Sequence, residues 1–254
     1  MRFASLGSGS EGNGLVVEAG GTCVLIDCGF GVKSTVVRLA RLGLEPSSLA
    51  AILVTHEHAD HVGGVPAFAA RYDIPVWATF GTLAAVAILF EGMTRVYAFD
   101  SHERFAIGEL DIMPFAVPHD AREPVQYVIG DGARRLGVLT DIGAPTAYVK
   151  ACLSGCDALV LECNHDLEML LNGTYPYSLK QRIGGRFGHL SNDAAGEILA
   201  GIDTSRLTHI IAAHLSQHNN TSELARGALA GALHCRPEWV GIADQETGFG
   251  WRDL

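Results

Sequence analysis

Residues 55–61 read Thr-His-Glu-His-Ala-Asp-His, and this segment constrains the fold and chemistry of the chain more than any other. It directly follows an apolar run that predicts a buried strand. Residues two apart on an extended segment share a face, so we expect His56 and His58 to point towards one position. Asp60 and His61 then turn towards a second position. Neutral imidazole and carboxylate groups are the ligands that borderline divalent cations favour. The segment therefore predicts a site for two metal ions rather than a solvated polar turn.

The composition predicts a folded, soluble protein. Of the 254 residues, 48% are hydrophobic, which indicates a substantial core rather than disorder. No apolar run approaches the roughly 18 residues of a membrane-spanning helix. The first residues read as a short strand leading into a glycine loop, not as a secretory signal. We therefore expect a cytoplasmic protein with no membrane segment.

The net charge of −10 argues against a protein that coats nucleic acid through a general positive potential. It does not exclude a nuclease, because bound divalent ions supply the local positive charge that a phosphate requires. The charge therefore restricts the mode of contact with nucleic acid without deciding the function.

The six cysteines are scattered along the chain, and several lie in apolar runs. A chain of this size does not need disulfides for stability, so we expect reduced thiols. Cys152 and Cys156 lie four residues apart on a predicted helix, but no second close pair accompanies them. Two packed thiols are therefore a better interpretation of this pair than a zinc clip.

Strands and helices alternate along the chain, with glycine at many of the boundaries. The predicted strands are Arg2–Leu6, Leu15–Glu18, Thr22–Ile26, Ala51–Val54, Val76–Ala78, Arg95–Ala98, Glu109–Phe115, Val125–Gly130, Arg134–Leu139, Ala158–Glu162 and Leu207–Ala213. The predicted helices are Val32–Arg41, Val65–Tyr72, Phe80–Leu89, Asp193–Ala200 and Ser222–Leu233. No linker, low-complexity run or repeat divides the chain, so we expect one layered α/β domain over residues 1–254.

Three further residues of ligand type follow predicted strands: His119, Asp141 and His214. The carboxyl ends of strands are where α/β proteins build their sites. A lone histidine at a strand end is more often structural, but together with residues 55–61 these three supply seven candidate ligands. One ion would take His56, His58 and His119, the other Asp60, His61 and His214, and Asp141 could bridge them. A bridging carboxylate fits a binuclear site, in which the ions lie roughly 3.5–4 Å apart.

The order of these ligands resembles the metallo-β-lactamase fold superfamily, whose signature is His-x-His-x-Asp-His followed by later His, Asp and His ligands. Asp27, in Ile26-Asp27-Cys28-Gly29, resembles the first motif of that superfamily, an aspartate that braces the site rather than binding metal. The resemblance spans nearly the whole chain. It implies an α/β fold, a four-layer αβ/βα sandwich, with two divalent metal ions in a groove between two sheets.

Several local segments are similar to the bacterial YycJ/WalJ-type subfamily. They are residues 5–13, 161–166, 175–176, 179–183, 188–192 and 214–220. This resemblance implies a cytosolic metal-dependent nuclease, with 5′-to-3′ exonuclease activity on DNA as in some members. It also implies similarity to the phosphodiesterase branch that contains tRNase Z and PhnP. Cys163 departs from the small or hydroxyl residue expected at its position, but that position binds no metal.

Two residues are candidates for catalytic roles. Asp60 could orient the attacking hydroxide while also serving as a ligand. The imidazole of His189 is suited to proton donation to the departing oxygen, and the tRNase Z branch has a histidine with that role in a comparable motif. Ser191 and Asn192 predict the cap of a helix that would fix the loop of His189. The alternative for His189 is a side chain that only braces this loop.

Other polar residues are candidates for substrate contacts. The Gly-Ser loop at residues 7–14 lacks the Gly-Lys-Ser ending of a nucleotide P-loop, so its hydroxyls fit better as a wall of the active groove. His165 could contact substrate or brace Glu162. Lys180, Arg182 and Arg186 form the only basic cluster, although solvation alone would explain such a helical face. The candidate contacts are Ser8, Ser10, Asn13, His165, Lys180 and Arg182.

The sequence thus predicts a binuclear metallohydrolase of phosphodiesters that acts on the ends of DNA or RNA. The main alternative is hydrolysis of small cyclic phosphodiesters, thioesters or lactones by the same centre. A metal-binding regulator without activity ranks last, because it would predict a damaged ligand set. Nitrogen and oxygen ligands fit zinc, manganese and iron alike, so the metal stays open. The polarity of degradation and the oligomeric state stay open as well.

Overall fold

The strands of this chain carry apolar side chains on both faces, so each sheet requires cover on both sides. In the strand Thr22–Ile26, Val24 and Ile26 face one hydrophobic core, while Cys23 and Leu25 face another. The computed structural model, which describes residues 1–254, accordingly contains two sheets packed face to face with helices on their outer faces.

The two sheets contain seven strands each. In chain order, the strands are β1 (Arg2–Gly7), β2 (Gly14–Ala19), β3 (Thr22–Ile26), β4 (Ala51–Leu53), β5 (Val76–Thr79), β6 (Val96–Phe99), β7 (Phe105–Ile107), β8 (Leu110–Ala116), β9 (Val125–Gly130), β10 (Arg135–Leu139), β11 (Ala158–Glu162), β12 (His209–Ala213), β13 (Val240–Ile242) and β14 (Phe249–Asp253). The order across the first sheet is β14-β1-β2-β3-β4-β5-β6, and across the second it is β13-β12-β11-β10-β9-β8-β7. Both sheets are mixed: β3 to β6 and β10 to β13 are parallel sets, and the other pairs are antiparallel.

The helices cover the two outer faces. They are α1 (Val32–Arg41), α2 (Ala59–Val62), α3 (Val65–Tyr72), α4 (Phe80–Ala85), α5 (Ala147–Leu153), α6 (Leu167–Asn172), α7 (Tyr177–Ile183), α8 (Asn192–Ala200) and α9 (Ser222–Leu233), with 3₁₀ turns at Pro46–Ser48, Ala87–Phe90 and Pro237–Trp239. α1 and α3 pack on the first sheet, and α5, α8 and α9 pack on the second. This layer order confirms the predicted four-layer αβ/βα sandwich. The longest helix, α9, has 12 residues, and no helix combines the length and apolarity needed to cross a bilayer.

A core of 22 buried residues, drawn from both sheets, fills the space between them. Tyr127, on β9, is fully buried there, and its hydroxyl donates a hydrogen bond of 2.7 Å to the carbonyl oxygen of Val54. This bond ties the second sheet to the residue that precedes the metal segment. Because one core joins both sheets, we interpret residues 1–254 as one domain. Cys152 and Cys156 lie in the outer core of the second sheet, as packed thiols would. They do not share the predicted helix, because α5 ends at Leu153 and Cys156 lies beyond it.

The strands that lead to the predicted ligands end at one edge of the sandwich. β3 and β4 are parallel neighbours in the first sheet, as are β10, β11 and β12 in the second. β8 runs in the same direction as β10, because both pair antiparallel with β9. The segments that follow β4, β8, β10 and β12 carry all seven candidate ligands, so the topology brings them to the same place.

Some predicted elements differ from the structure. The predicted helix Phe80–Leu89 is α4, which ends at Ala85, because Val86 (φ −118°, ψ 26°) lies outside the helical region and a 3₁₀ turn follows. The prediction missed β7, β13 and β14, which are short strands at sheet edges with weak apolar alternation. Arg186 lies beyond the end of α7, so the basic cluster is not a single helical face.

Far from the metal edge, the buried carboxylate of Asp157 precedes β11 and holds three strands' ends together. It accepts hydrogen bonds from the guanidinium groups of Arg134 and Arg206, both at 3.0 Å, and from the backbone N–H of Arg135 at 2.8 Å. Burial opposes ionisation, but these hydrogen bonds lower the pKa of Asp157 below its ordinary value of 3.8. The ionised carboxylate therefore stabilises the fold above its ordinary pKa, and this contribution is lost as the pH falls through the lower folded-state pKa.

We predict that Asp157→Ala lowers the free energy of unfolding at pH 7 by about 1–3 kcal/mol, because several charge-assisted hydrogen bonds lose their acceptor. Urea denaturation at fixed metal concentration measures this difference, which should narrow below about pH 4. Asp111→Ala is the control, since Asp111 is exposed and its pair with Arg104 is a surface ion pair at 3.4 Å. Equal losses in the two variants would contradict the assignment.

Candidate metal centre

A single helical turn divides the ligands of the metal segment into two directions. His58 has extended backbone and is the N-cap of α2. α2 carries Asp60 and His61, so these two side chains leave in a different direction from those of His56 and His58. The turn packs closely on Gly29, where a Cβ atom would lie only 1.9 Å from the carbonyl oxygen of Asp60. Glycine at this position is therefore required by the approach of the two loops.

Three imidazoles form the first ligand group: His56, His58 and His119. One ring nitrogen of each lies within 4.8 Å of the others. His119 Nδ1 lies 3.0 Å from the carbonyl oxygen of Gly188, to which it donates, so Nε2 is left facing His58 Nδ1 at 3.2 Å. His56 Nδ1 lies 3.0 Å from the hydroxyl oxygen of Thr55, which leaves Nε2 for the centre. In His56 and His119, the hydrogen bond made by the second nitrogen thus fixes which nitrogen faces inward.

Asp60, His61 and His214 form the second ligand group. The Nε2 atoms of His61 and His214 each lie 3.4 Å from Asp60 Oδ2. The side-chain amide of Asn13 donates to the same carboxylate oxygen at 3.3 Å. His61 Nδ1 donates to Asp27 Oδ2 at 2.8 Å, and this bond directs His61 Nε2 towards the group.

Asp27 lies in a bracing position and belongs to neither ligand group. Its Oδ1 accepts a hydrogen bond from the backbone N–H of Thr55 at 2.8 Å, and its Oδ2 accepts one from the Thr55 hydroxyl at 2.8 Å. One buried carboxylate therefore fixes both the start of the metal segment and the ring of His61.

Asp141 lies between the two ligand groups. Its Oδ2 lies 2.8 Å from His61 Nε2, and its Oδ1 lies 3.4 Å from His214 Nδ1. Asp141 also clusters with His56 and His61. Burial favours the neutral acid, but the charges of His214 and His61 hold the pKa of Asp141 well below its ordinary range. An ionised carboxylate is thus placed where a ligand shared by two ions would be.

Asp27, Asp141 and His214 share a left-handed backbone conformation, with φ of 59°, 51° and 54°. Each follows the end of a strand by one or two residues. This region is sparsely populated by residues other than glycine, asparagine and aspartate. Such strain clusters at functional sites, where the surrounding structure maintains it.

Two buried atoms test whether these residues fit metal ions. His56 Nε2 has no hydrogen-bond partner, and Asp141 Oδ2 accepts no hydrogen bond although His61 Nε2 lies 2.8 Å away, since the His61 proton is on Nδ1 and is donated to Asp27. Buried polar atoms are normally satisfied. A divalent cation would satisfy both, because it takes unprotonated imidazole nitrogen and carboxylate oxygen as ligands. The donor set therefore fits divalent metal ions.

His189 lies beside the centre, and its ring is held by two carboxylates. Its Nδ1 lies 2.8 Å from Glu162 Oε1 and 3.2 Å from Asp141 Oδ1. Burial opposes protonation, but the charge of Glu162 and the hydrogen bonds to both carboxylates raise the pKa of His189 to about 10. Because Nδ1 donates to these carboxylates, Nε2 is the nitrogen that remains available to a molecule in the cavity.

Glu162 was not predicted as part of the site. Besides His189, it binds the backbone N–H groups of Ile142 at 2.9 Å and Leu190 at 3.2 Å. His165 makes no hydrogen bond to Glu162, so the alternative in which it braces that carboxylate has no hydrogen bond to support it. Glu162, Asp141, His189 and His214 are close enough to form a further ligand cluster, but Glu162 and His189 already satisfy each other. The available signal was a carboxylate ending a buried strand, since a buried charge requires partners.

A cavity of about 350 Å³ opens over the centre. Its lining consists of Ser10, His58, Ala59, Asp60, Asp120, Asp141, Leu179, Arg182, Ile183, Gly188, His189 and His214. On its rim, Arg182 Nε donates to Asp120 Oδ2 at 2.7 Å, and Asp120 Oδ1 lies 3.5 Å from His119 Nε2. Sequence reasoning missed Asp120, whose only signal was its position directly after His119.

Of the six candidate substrate contacts, only Ser10 and Arg182 line this cavity. Lys180 donates instead to the carbonyl oxygen of Leu171 at 2.7 Å and lines a different cavity on the other side of α7. His165 is only 2% exposed and lines neither, so its predicted contact with substrate lacks access.

Ser8 and Asn13 are buried and support ligands rather than the open groove. The Ser8 hydroxyl accepts a hydrogen bond from the backbone N–H of His214 at 3.0 Å and donates one to the side-chain oxygen Oδ1 of Asn13 at 3.1 Å. Asn13 in turn contacts Asp60. Ser8 and Asn13 therefore hold His214 and Asp60 in position, and the predicted contacts of these two residues with substrate are not supported.

The sequence matches a known protein family. Residues 22–210, most of the chain, match the family described as "Beta-lactamase superfamily domain". The chain belongs to this superfamily. The resemblance predicted from the ligand order is thereby confirmed.

Two relatives align with nearly the whole of this β-lactamase superfamily chain. "Exodeoxyribonuclease YycJ" of Bacillus anthracis is 36% identical over 252 residues, which cover 98% of this chain and 91% of the relative. "Exodeoxyribonuclease WalJ" of Streptococcus pneumoniae is 32% identical over 246 residues, which cover 95% of this chain and 91% of the relative. The predicted similarity to the YycJ/WalJ-type subfamily is confirmed.

Solved structures show the same fold at low sequence identity. The metallo-β-lactamase fold protein YhfI from Bacillus subtilis has a TM-score of 0.77 and 17% identity, with 99% of both chains covered. A diphosphatase from the PhnP family has a TM-score of 0.71 and 19% identity, with 100% of this chain and 97% of that chain covered. At these identities the likeness concerns the fold alone.

We predict that Asp27→Asn weakens metal binding about 10–100-fold, because a neutral amide holds the ring of His61 less firmly than a carboxylate does. Competition with a chelator, followed by mass spectrometry of the bound metal, measures the affinity. Asp111→Asn, an exposed change on β8, is the matched control. If Asp27→Asn left the affinity for metal unchanged, Asp27 would not brace the ring of His61.

Proposed function

We propose that this superfamily member is a metal-dependent hydrolase of phosphodiester bonds that degrades nucleic acid from its ends, as a 5′-to-3′ DNA exonuclease. The relatives from Bacillus anthracis and Streptococcus pneumoniae, both named exodeoxyribonucleases, support the reaction and the substrate class. The polarity rests on the resemblance of the local sequence segments to the YycJ/WalJ-type subfamily.

The observation that carries the proposal is the convergence of three kinds of group on one cavity. Two groups of ligand atoms lie at its base, joined by Asp141. His189 lines its wall with one nitrogen free, and Arg182 stands on its rim. Phosphodiester hydrolysis requires activation of the nucleophile, donation of a proton and binding of the phosphate. The ligand groups, His189 and Arg182, respectively, suit these three requirements.

Two divalent ions, when bound, would acidify a water molecule and neutralise the charge of a phosphate. We assign one ion to His56, His58 and His119 and the other to Asp60, His61 and His214, with Asp141 shared between them. Zinc, manganese and iron all suit this donor set.

The remaining steps belong to the side chains. Asp60, at the base of the cavity, orients the attacking water. His189 Nε2 donates a proton to the departing oxygen, while Glu162 holds the Nδ1–H and keeps the imidazole in position. Arg182 presents its guanidinium to a phosphate oxygen, and Asp120 fixes the direction of that guanidinium.

The main alternative is hydrolysis of small cyclic phosphodiesters, thioesters or lactones. Only three of the twelve residues that line the cavity are hydrophobic, which gives little surface for an acyl chain. A regulator without activity ranks lower, because all seven candidate ligands are present and converge.

The proposal places the protein in the cytoplasm, with DNA or RNA ends as its partners. All six cysteines are free and five of them are buried, which suits a reducing compartment. The metals available in that compartment would decide which ion is bound.

Assays of the metal-loaded protein on 5′-labelled duplex DNA, single-stranded DNA, RNA and bis(p-nitrophenyl) phosphate test the function. We expect release of 5′-terminal nucleotides, loss of activity after chelation and recovery when a divalent metal is added. Hydrolysis of thioesters or lactones without cleavage of any phosphodiester would refute the proposal.

The shared position of Asp141 predicts that Asp141→Asn loses at least one ion per chain, because the amide cannot supply the charge that holds two cations together. Metal analysis by mass spectrometry after dialysis measures the content. Full occupancy of both positions in this variant would exclude a bridging carboxylate.

We predict that His189→Ala lowers kcat on DNA by about 10²–10⁴ while the metal content is retained, because the departing oxygen loses its proton donor. The loss should be smaller on bis(p-nitrophenyl) phosphate, since p-nitrophenolate leaves without protonation. His102→Ala, at an exposed histidine, is the control. Equal losses on both substrates would instead support a role in bracing the loop.

A further inference from the structure

Helix α7 separates the catalytic cavity from a second cavity. Leu179, Arg182 and Ile183 line the catalytic side. The second cavity, of about 520 Å³, has an apolar lining from Leu167, Leu170, Leu171 and Tyr177, with Lys180 and Gln181 beside it. A helix is about 10–12 Å across with its side chains, so a chain that leaves one cavity needs only a short path to reach the other.

Two aromatic side chains flank this helix and face solvent. Tyr177, the first residue of α7, is 74% exposed, and Phe187, in the loop after it, is 61% exposed. The Tyr177 hydroxyl accepts a hydrogen bond from Gln181, which holds its ring at the mouth of the second cavity. Exposed aromatic rings such as these offer faces on which nucleic acid bases can stack.

The same segment is the positive part of an acidic chain. Between Tyr177 and Asn192 there is no aspartate or glutamate, whereas Lys180, Arg182 and Arg186 all fall there, in a chain of net charge −10. Arg182 is paired with Asp120, but Lys180 contacts only a carbonyl oxygen and Arg186 is exposed without an ion pair. Two uncompensated cations therefore lie on α7 and directly after it, and α7 borders the catalytic cavity.

We propose that Tyr177, Lys180, Arg186 and Phe187 form a binding surface for single-stranded nucleic acid, here called the α7 surface. The two rings stack on bases, and the two cations contact phosphates. Aromatic faces beside a positive groove bind single strands without sequence preference, because every base has a π face. The proposal rests on the proposed function, since the strand bound here continues into the catalytic cavity.

The chemistry of the α7 surface favours this occupant over others. An acidic peptide would use the cations but would leave the exposed rings without partners. An apolar protein surface would cover the rings but bury Lys180 and Arg186 without counter-charges, which is costly. A duplex would offer phosphates, but its bases are already stacked. A single strand alone supplies both exposed bases and phosphates.

Steady-state kinetics of the metal-loaded protein test the α7 surface. The quantity compared is kcat/KM on a short single-stranded DNA divided by kcat/KM on bis(p-nitrophenyl) phosphate. We expect Tyr177→Ala and Phe187→Ala each to lower this ratio about tenfold, whereas Tyr177→Phe and Phe187→Tyr, which keep a ring, should restore it. Trp239→Ala is the matched control. This partly exposed ring precedes β13, which is parallel to β12, so it lies at the end of the second sheet that is opposite the metal ligands.

Salt dependence tests the cations separately. We expect Arg186→Ala to reduce the slope of log kcat/KM against log salt by about 0.7 on the single strand, as the loss of one phosphate contact would. Arg71→Ala, an exposed change at the last turn of α3, should leave that slope unchanged.

The outcomes separate this surface from the function itself. An unchanged ratio in both aromatic variants, or the same loss in Trp239→Ala, would overturn the α7 surface. A loss on duplex DNA with none on single strands would assign the segment to duplex binding and also overturn it. If the unmodified protein cleaved no phosphodiester, the proposed function would fail. Fluorescence anisotropy with a labelled single strand would then test the surface by binding alone, and equal affinity in all variants would refute it.

Discussion

The structure depends on a cluster of buried imidazoles and carboxylates that loops from both sheets bring together. The ring of His56 lies with its centroid 4.2 Å from that of His61 and 4.6 Å from that of His58, and its inward nitrogen has no protein partner. Burial removes the water that would otherwise solvate these groups. The strand order and the bracing by Asp27 both keep that cluster assembled.

In this sandwich, the strands determine where the site lies, and the loops supply its polar groups. The strands are apolar on both faces and set the positions at which loops begin. The loops carry the polar groups, and backbone atoms of other loops orient them, as the carbonyl of Gly188 does for His119. The loops can therefore change their chemistry without a change in the two sheets. α7 illustrates this division, since one of its faces belongs to the catalytic cavity and the other to a separate surface.

Most of the metal ligands could be predicted from the sequence, because they lie close together in the chain or directly after an apolar run. Four ligands fall within residues 56–61, and the three others follow apolar runs whose strand character the structure confirms. The pairing of His189 with Glu162 could not be predicted, because the two residues are 27 positions apart and meet only where the connection between β11 and β12 folds back over the end of β11. The edge strands β7, β13 and β14 were missed for a different reason. They are short and partly exposed, so their pairing, not their composition, makes them strands.

The left-handed conformation of Asp27, Asp141 and His214 also restricts which sequences this architecture accepts. At each position the side chain must supply chemistry, and the backbone must tolerate a positive φ that costs most residues roughly 1 kcal/mol or more. Alanine fails on both counts, so an alanine scan would overstate the worth of each functional group. Asparagine tolerates the backbone and tests the chemistry alone. A saturation library at these codons should accordingly recover a far narrower set of amino acids than one at His56 or His119, where the backbone imposes no such second demand.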